Sequence, residues 1–286
     1  MSPSNLLFNR ACAVIVQTDG AKAIKIAPQG GQKEALSVKF TVKKDLTSKP
    51  NTAELQIYNL SPDTRLALQK LKDATVQIDA GYVGSTSTIF LGDMRTGFGA
   101  HTGPDWITTL SAGDGEAKLR TARVQTALRA GTDIATVFRA LSTALGVSKG
   151  NLDAAVSAIQ GAGFSSQFSL GTVLSGSAAS EMDRITASVD YTWSVQGGKL
   201  QLVPRGQALA GSAILLTEKT GMIGSPTVDK DGVVSVKMLM VADVYPGRKI
   251  VLQASEIKGQ YAIQETAHTG DTRGQDWYID VKAKPY

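Results

Sequence analysis

Gly259-Gln260-Tyr261-Ala262-Ile263-Gln264-Glu265-Thr266-Ala267-His268-Thr269-Gly270-Asp271-Thr272-Arg273-Gly274, followed by Trp277-Tyr278-Ile279-Asp280-Val281-Lys282-Ala283, is the stretch on which the fold turns. Tyr261, Ile263 and Glu265 alternate with Ala262, Gln264 and Thr266, the period of two that sends successive side chains to opposite faces of a strand. Thr269-Gly270-Asp271 and Arg273-Gly274 supply turn chemistry, and Trp277 to Ala283 alternates again. The stretch predicts a closing hairpin that pins this end of the chain into a sheet.

Upstream, residues 11 to 113 read as a strand-rich module. Cys12 to Val16 is a short apolar strand, and Leu36 to Lys44 alternates with Val38, Phe40 and Val42 inward. Ala53 to Leu60 alternates with Leu55 and Ile57 on one face. A short helix follows from Thr64 to Leu71, with Ser61 as cap and Pro62 at the first helical position. Thr75–Tyr82, Ser87–Arg95 and Trp106–Ala112 add further strands, and the even spacing suggests a closed or nearly closed barrel.

Between 114 and 212 the pattern changes. Ile134, Val137, Phe138, Leu141 and Leu145 mark one helical face, stopped by Gly146. Gly161-Ala162-Gly163 is a break, and Met182, Ile185 and Val189 mark a second helix. Tyr191 to Val203 reads as a hairpin turning at Gly197-Gly198. Strands return at Ile214–Thr217, Val233–Leu239 and Lys249–Ala254, with turns at Asp229-Lys230-Asp231-Gly232 and Tyr245-Pro246-Gly247. The expected class is α+β, mainly β: two tube-like β-barrel modules, 1–113 and 213–286, flanking a small mixed α/β module, 114–212.

The 286 residues are 42% apolar, 19% charged and 6% aromatic, a composition that folds rather than one that stays disordered. With Cys12 as the single cysteine there is neither an internal disulfide nor a cysteine-rich zinc site. No run approaches the roughly 18 to 20 apolar residues of a membrane span, and no basic stretch leads into an apolar run at the N-terminus. A soluble protein assembled in the cytoplasm is expected. The net charge of +5 is spread along the chain. Its densest cluster, Lys39, Lys43 and Lys44 with Lys49, reads as solvated lysines guarding a sheet edge, so specific nucleic-acid binding is not expected.

The search for chemistry returns no catalytic, cofactor or metal residue. His101 falls in a loop between Gly97 and Asp105. His268 ends a strand beside Asp271, but a triad needs a nucleophile on a sharp elbow and none is present. Two isolated histidines make a poor zinc site. Asp114 with Glu116, and Glu181 with Asp183, are carboxylate pairs, yet Asp114-Gly115 is more simply a turn and Glu181 suits the start of a helix. Trp106, Trp193 and Trp277 fall in strand patterns as core or interface anchors.

Four segments together resemble the baseplate hub proteins of contractile-tailed bacteriophages. They are Leu36 to Leu60 with Pro50-Asn51-Thr52-Ala53 and Ser61, then Phe90-Leu91-Gly92-Asp93-Met94. Gly221-Met222-Ile223-Gly224-Ser225-Pro226-Thr227 with Val233 to Pro246-Gly247 is the third, and Gly259-Gln260-Tyr261 with His268-Thr269-Gly270-Asp271-Thr272 the last. The resemblance implies a structural, non-enzymatic virion protein of the tail baseplate. It implies a homotrimer whose six barrels match a sixfold tail tube protein on one side and a threefold central spike protein on the other, with the tape-measure protein and other baseplate proteins as further contacts. A hexameric tail-tube or adaptor ring is the alternative within that class. A tail-associated cell-wall hydrolase using Asp114, Glu116, Glu181 or His268 is the alternative outside it.

Overall fold

Alternation in the sequence becomes alternation of burial. In the computed structural model, which describes residues 9–18, 23–26, 36–162, 167–168, 170–241 and 243–286, Val38, Phe40 and Val42 are buried while Lys39 and Lys43 point outward. The N-terminal elements are β1 (Arg10–Gln17), β2 (Ile24–Ile26), β3 (Val38–Asp45), β4 (Thr52–Tyr58), α1 (Pro62–Lys70), β5 (Thr75–Tyr82), β6 (Ser85–Thr102) and β7 (Asp105–Gly113). Ser61 caps α1, its hydroxyl accepting the Thr64 N–H at 3.3 Å. The central elements are α2 (Glu116–Thr121), β8 (Arg123–Leu128), β9 (Thr132–Asp133), α3 (Ile134–Leu145), α4 (Leu152–Gly161), β10 (Gln167–Phe168), β11 (Thr172–Ser177), α5 (Ala178–Ser188), β12 (Tyr191–Gln196) and β13 (Lys199–Pro204). Then follow β14 (Ile214–Leu216), β15 (Met222–Val228), β16 (Val234–Leu239), β17 (Lys249–Gln253), β18 (Lys258–Asp271) and β19 (Trp277–Pro285). The chain is α+β and mainly β.

The terminal hairpin is the seam of the molecule. Among the described residues, 13 strands form one sheet in the order β15-β16-β19-β18-β3-β4-β7-β6-β5-β1-β2, with β17 on β18 and β14 on β17. One edge of β18 pairs with β19. The other pairs with β3 over Glu265 to Asp271 and with β17 over Lys258 to Ala262. At Ile263, between those two partners, the backbone bonds Gly247 and Arg248 instead, at 2.7 and 2.9 Å. Strands from both ends of the sequence therefore share one hydrogen-bonded ladder and one apolar core, which runs from Cys12 to Ala112 and from Leu216 to Ala283.

The turn of that hairpin is held against the N-terminal strands. The Arg10 guanidinium donates to the carbonyls of Asp271, Gly274 and Gln275 at 3.1, 2.6 and 3.1 Å. Trp277 is buried edge-on to Phe40, ring centroids 5.6 Å apart, and its indole N–H donates to the Gly81 carbonyl at 3.2 Å.

Residues 119–202 have a second core, built from α3, α4 and α5 against the β12–β13 hairpin. The sequence-predicted faces are the buried ones: Ile134, Val137, Phe138, Leu141 and Leu145 on α3, and Met182 and Ile185 on α5. Gly146 ends α3 at φ 66°, a left-handed conformation in which a Cβ would be strained. Of the break at Gly161-Ala162-Gly163, the last residue lies outside the described ones.

Two local expectations change. Gly97 to Asp105 is not a loop: β6 continues to Thr102, pairing first with β5 and then, beyond Asp93, with β7 as a long hairpin that turns at Gly103. A run of Gly, Ala and polar residues hides a strand whose pairing, not its composition, makes it extended. Lys44 is not solvated. It continues the inward phase of Val38, Phe40 and Val42 and is only 9% exposed.

Candidate functional site

The two cores meet at the Gln196-Gly197-Gly198-Lys199 turn of the β12–β13 hairpin. Gly197 and Gly198 both have positive φ, 62° and 74°, as the tight turn that follows right-handed strand twist requires. Their amides donate to the two oxygens of Asp114, at 2.6 and 2.8 Å. Asn51 completes the joint: its Nδ2 donates to the Val195 carbonyl at 2.7 Å and to the Gln196 side chain at 3.1 Å, and its Oδ1 accepts the Asp45 N–H. Gln196 Nε2 donates to the Asp45 carbonyl at 2.7 Å, and Thr192 to that of Leu46 at 3.0 Å. A hairpin of the second core is thus docked on the β3–β4 turn by buried polar groups. Such groups are directional and costly to leave unpaired, so they fix one orientation between the cores.

Beside this joint opens a cleft of about 650 Å³. It is lined by Gln77, Thr88 and Leu91 of the β5–β6 pair, by Gln196, Gly197 and Lys199 to Gln201, by Val241 and Asp243 to Tyr245, and by Lys44 and His268. Burial pushes the Lys44 ammonium down to about 8, opposed by the charge of Asp114. Burial pushes the Asp114 carboxyl up to about 6, opposed by the Gly198 and Gly197 amides and by Lys44. His268, 1% exposed, is driven down to about 3, chiefly by burial and then by Lys44. Its Nδ1, and the hydroxyl of Thr266 directly across from Lys44, have no hydrogen-bond partner among the described residues.

The sequence candidates are placed as follows. His268 lies inside β18 rather than at its end, and does not pair with Asp271. Asp271 instead accepts the Arg273 and Gly274 amides, both at 2.8 Å, and pairs with Lys39 at 3.4 Å. Burial opposes ionisation of Asp271, but those amides and Lys39 outweigh it and hold the carboxyl below its usual range. Glu116 pairs with Arg95, and Glu181 with Arg184 at 2.6 Å in the first turn of α5. Asp183 accepts the Trp193 indole N–H at 2.7 Å. Each of these carboxylates is engaged in holding the fold. His101 sits at the β6–β7 tip, edge-on to Trp106, whose other neighbour is the Arg65 guanidinium 4.0 Å from the ring centroid. Trp193 and Trp277 are core residues, whereas Trp106, Phe98 and Leu66 remain exposed around α1 and the long hairpin. Cys12 is buried, its thiol pushed up to about 12 by burial and then by Asp79. Among the described residues no group of three or more His, Cys, Asp or Glu is arranged to hold a metal, and no helix is long and apolar enough to cross a membrane.

Sequence reading takes Lys44 as solvated, and assigns no structural role to Asn51 or Arg10. Lys44 was legible in principle: it is in phase with three buried apolar residues on β3. The reach of Asn51 and Arg10 across 144 and 261 or more positions has no local signature.

Among solved structures, the chain is similar to a tail protein from Neisseria meningitidis MC58 at 10% identity, with 96% of both chains covered and a TM-score of 0.63. It is similar to the 43 kDa tail protein of prophage MuSo2 from Shewanella oneidensis at 8% identity, covering 95% of this chain and 96% of that one, TM-score 0.62. An Escherichia coli type VI secretion component, described as structurally similar to the T4 tail proteins gp27 and gp5, aligns at 9% identity over 90% of this chain and 75% of its own, TM-score 0.51. At these identities the likeness is one of fold. A comparison with curated protein sequences finds no match. The family model described as Baseplate hub gp41 matches residues 22–283, from before β2 almost to the end of β19, and the chain belongs to that family of bacteriophage tail baseplate proteins.

Proposed function

We propose that the chain is a baseplate hub subunit that works as a homotrimeric ring between the tail tube and the central spike. The observation that carries this reading is the family match across residues 22–283. Each copy contributes two tube-like β-barrel halves, 1–113 and 213–286, joined through the β18–β19 seam and flanking the mixed α/β module of 114–212. Three copies present six such halves to a sixfold tube and a threefold face to the spike. Exposed Phe98, Trp106 and Leu66 offer apolar surface for neighbouring subunits, and the open edge of β15, interrupted by Pro226, resists uncontrolled strand pairing. The tape-measure protein and other baseplate proteins are the remaining contacts, and assembly takes place in the host cytoplasm. The product is a shape: Asp114, Glu116, Glu181 and His268 serve the fold and no catalysis. Light scattering on the size-separated protein, with negative-stain imaging, tests the reading. Three times the 30.1 kDa chain mass in a threefold ring supports it. Six copies would move the chain to a tube or adaptor ring, and a monomer that clears peptidoglycan would make it a hydrolase.

A further inference from the structure

The small β8–β11 sheet has one guarded edge and one open edge. The Ala178 amide donates to the Ala122 carbonyl at 3.2 Å, in the register that sets Val124 against Gly176 and Thr126 against Leu174. Hydrogen-bonded positions alternate along an antiparallel pair. Val124, Thr126 and Leu128 therefore bond to β11, and the backbone N–H and C=O groups of Arg123, Gln125 and Ala127 point the other way. Those groups have no hydrogen-bond partner among the described residues. The far edge of β11 is covered: Arg184 of α5 donates to the Val173 carbonyl there at 3.5 Å.

Beside the open edge lies a groove of about 560 Å³, bounded by Arg123 to Thr126 and floored by Thr136, Ala140, Thr143 and Ala144 of α3. None of the floor side chains is longer than threonine, and Arg139 is the one charge among the 12 residues of α3. A helix face that meets water ordinarily carries charged residues. This one is apolar and shallow, and it runs along the edge where a third strand would lie. A two-stranded ribbon is marginal, whereas three strands over a helix make a stable layer.

Charge states what such a strand carries. Between 120 and 139 the chain has four arginines, Arg120, Arg123, Arg129 and Arg139, and one carboxylate, Asp133, which accepts from Gln160. Arg123 and Arg139 line the groove and no carboxylate does. Arg139 pairs with Asp153 at 3.8 Å, both side chains more than half exposed, a contact worth little in water. Arg123 donates to the carbonyls of Arg120 and Ala122, which leaves its charge unneutralised.

We propose that the open edge of β8 takes up an extended, acidic segment of another protein as a third strand. Its backbone exchanges hydrogen bonds with Arg123, Gln125 and Ala127. Its alternate apolar side chains pack on Ala140 and Ala144 beside Val124, and its carboxylates stand opposite Arg123 on the outer face. This assignment does not depend on the proposed ring.

Fluorescence anisotropy on the full chain tests it, the probe being a labelled peptide of about eight residues that alternates valine and glutamate. Saturable binding of one peptide per chain is expected, with a Kd below about 1 mM. Lysine in place of every glutamate should weaken it by about tenfold or more. N-methylation of every peptide amide should abolish it, because the donors are lost while the charge stays. Gln125→Pro removes one donor of the open edge and none from the β11 ladder, a place where an edge strand tolerates proline. It should weaken binding by about tenfold. Arg139→Glu reverses an exposed charge, leaves the strand intact and should weaken binding to a similar degree. Far-UV circular dichroism matched to the wild type qualifies each variant. No saturable binding by the wild type would overturn the site, as would equal affinity for the N-methylated peptide, or equal affinity in the wild type and Arg139→Glu. Light scattering supplies the remaining arm. Self-association of the wild type that Gln125→Pro abolishes would give the edge to a second copy, which overturns the acidic partner and leaves the ring reading in place.

Discussion

Replacing Trp277 by alanine tests the seam between the two ends of the chain. Trp277 is buried in β19, edge-on to Phe40 of β3, bonded to Gly81 at the end of β5, and has the Arg10 guanidinium of β1 5.7 Å from its ring centroid. Truncating a buried Trp to Ala costs about 3–5 kcal/mol. The edge-to-face pairing is worth about 0.5–1.5 kcal/mol beyond area, and about 1 kcal/mol comes from the Gly81 bond. We take the total as about 4 kcal/mol, since these contributions overlap. At about 2–4 °C per kcal/mol for large domains, Tm falls by roughly 8–16 °C. Trp277→Phe, which keeps a ring and loses the indole N–H, should cost about 1–2 kcal/mol. A double-mutant cycle with Phe40→Leu should return a coupling of about 0.5–1.5 kcal/mol. Urea unfolding at constant protein concentration reads this out, with far-UV circular dichroism for the sheet and Trp193 fluorescence for the second core. A Trp277→Ala loss below about 1 kcal/mol would refute the seam. So would an N-terminal transition that kept its midpoint while the C-terminal strands melted separately.

Asp114→Asn should cost about 2 kcal/mol, because an amide accepts only one of the two glycine N–H groups with full strength. It should also change the pH profile. His268, held near 3 when folded, contributes stability that is present above its ordinary value of 6.5 and lost as pH falls towards 3. Asp114, raised to about 6, works in the opposite sense, since its folded form holds the proton longer and its contribution weakens as pH rises from about 4 to 6. The two partly cancel in the wild type, so Asp114→Asn should be the more acid-labile and His268→Asn the less. Denaturation midpoints measured between pH 4 and 7 decide this, and parallel profiles for all three proteins would contradict it. Gly150→Ala should be severely destabilising, because at φ 53° a Cβ would collide with the Leu200 carbonyl. Gly84→Ala, at φ 84° in open space, should cost only about 1–2 kcal/mol, and thermal melts compare the pair. Phe98→Ala with Trp106→Ala should leave the subunit within about 1 kcal/mol of wild type yet weaken the proposed trimer, as read by light scattering across a dilution series.

The alternation in β3, β4, β18 and β19 was legible because each presents one face to a core, so burial imprints the sequence with a period of two. The α3 and α5 faces were legible for the corresponding reason at a period of 3.6. The pairing of β3 with β18 was not. Their partners lie more than two hundred positions apart, and no local pattern states which edge a strand will choose. The extension of β6 through Gly97-Phe98-Gly99-Ala100 was hidden for the opposite reason: its far half pairs on one side and meets solvent on the other, which leaves little hydrophobic trace. At the joint, Gly197-Gly198 was readable as a turn, but what grips it was not. Asp114 looked like a turn residue because it is one; its carboxylate reaches a second turn 83 positions away. Lys44 was misread because lysine is so rarely buried that composition outweighed its phase on the strand.

The proposed function places this chain in a threefold ring at the junction of tube and spike. Electron cryomicroscopy of the assembled particle measures that directly. Three copies at the baseplate centre, each with the β18–β19 hairpin paired to β3 of its own chain, are predicted. Six copies along the tube, or a baseplate centre built without this chain, would contradict it.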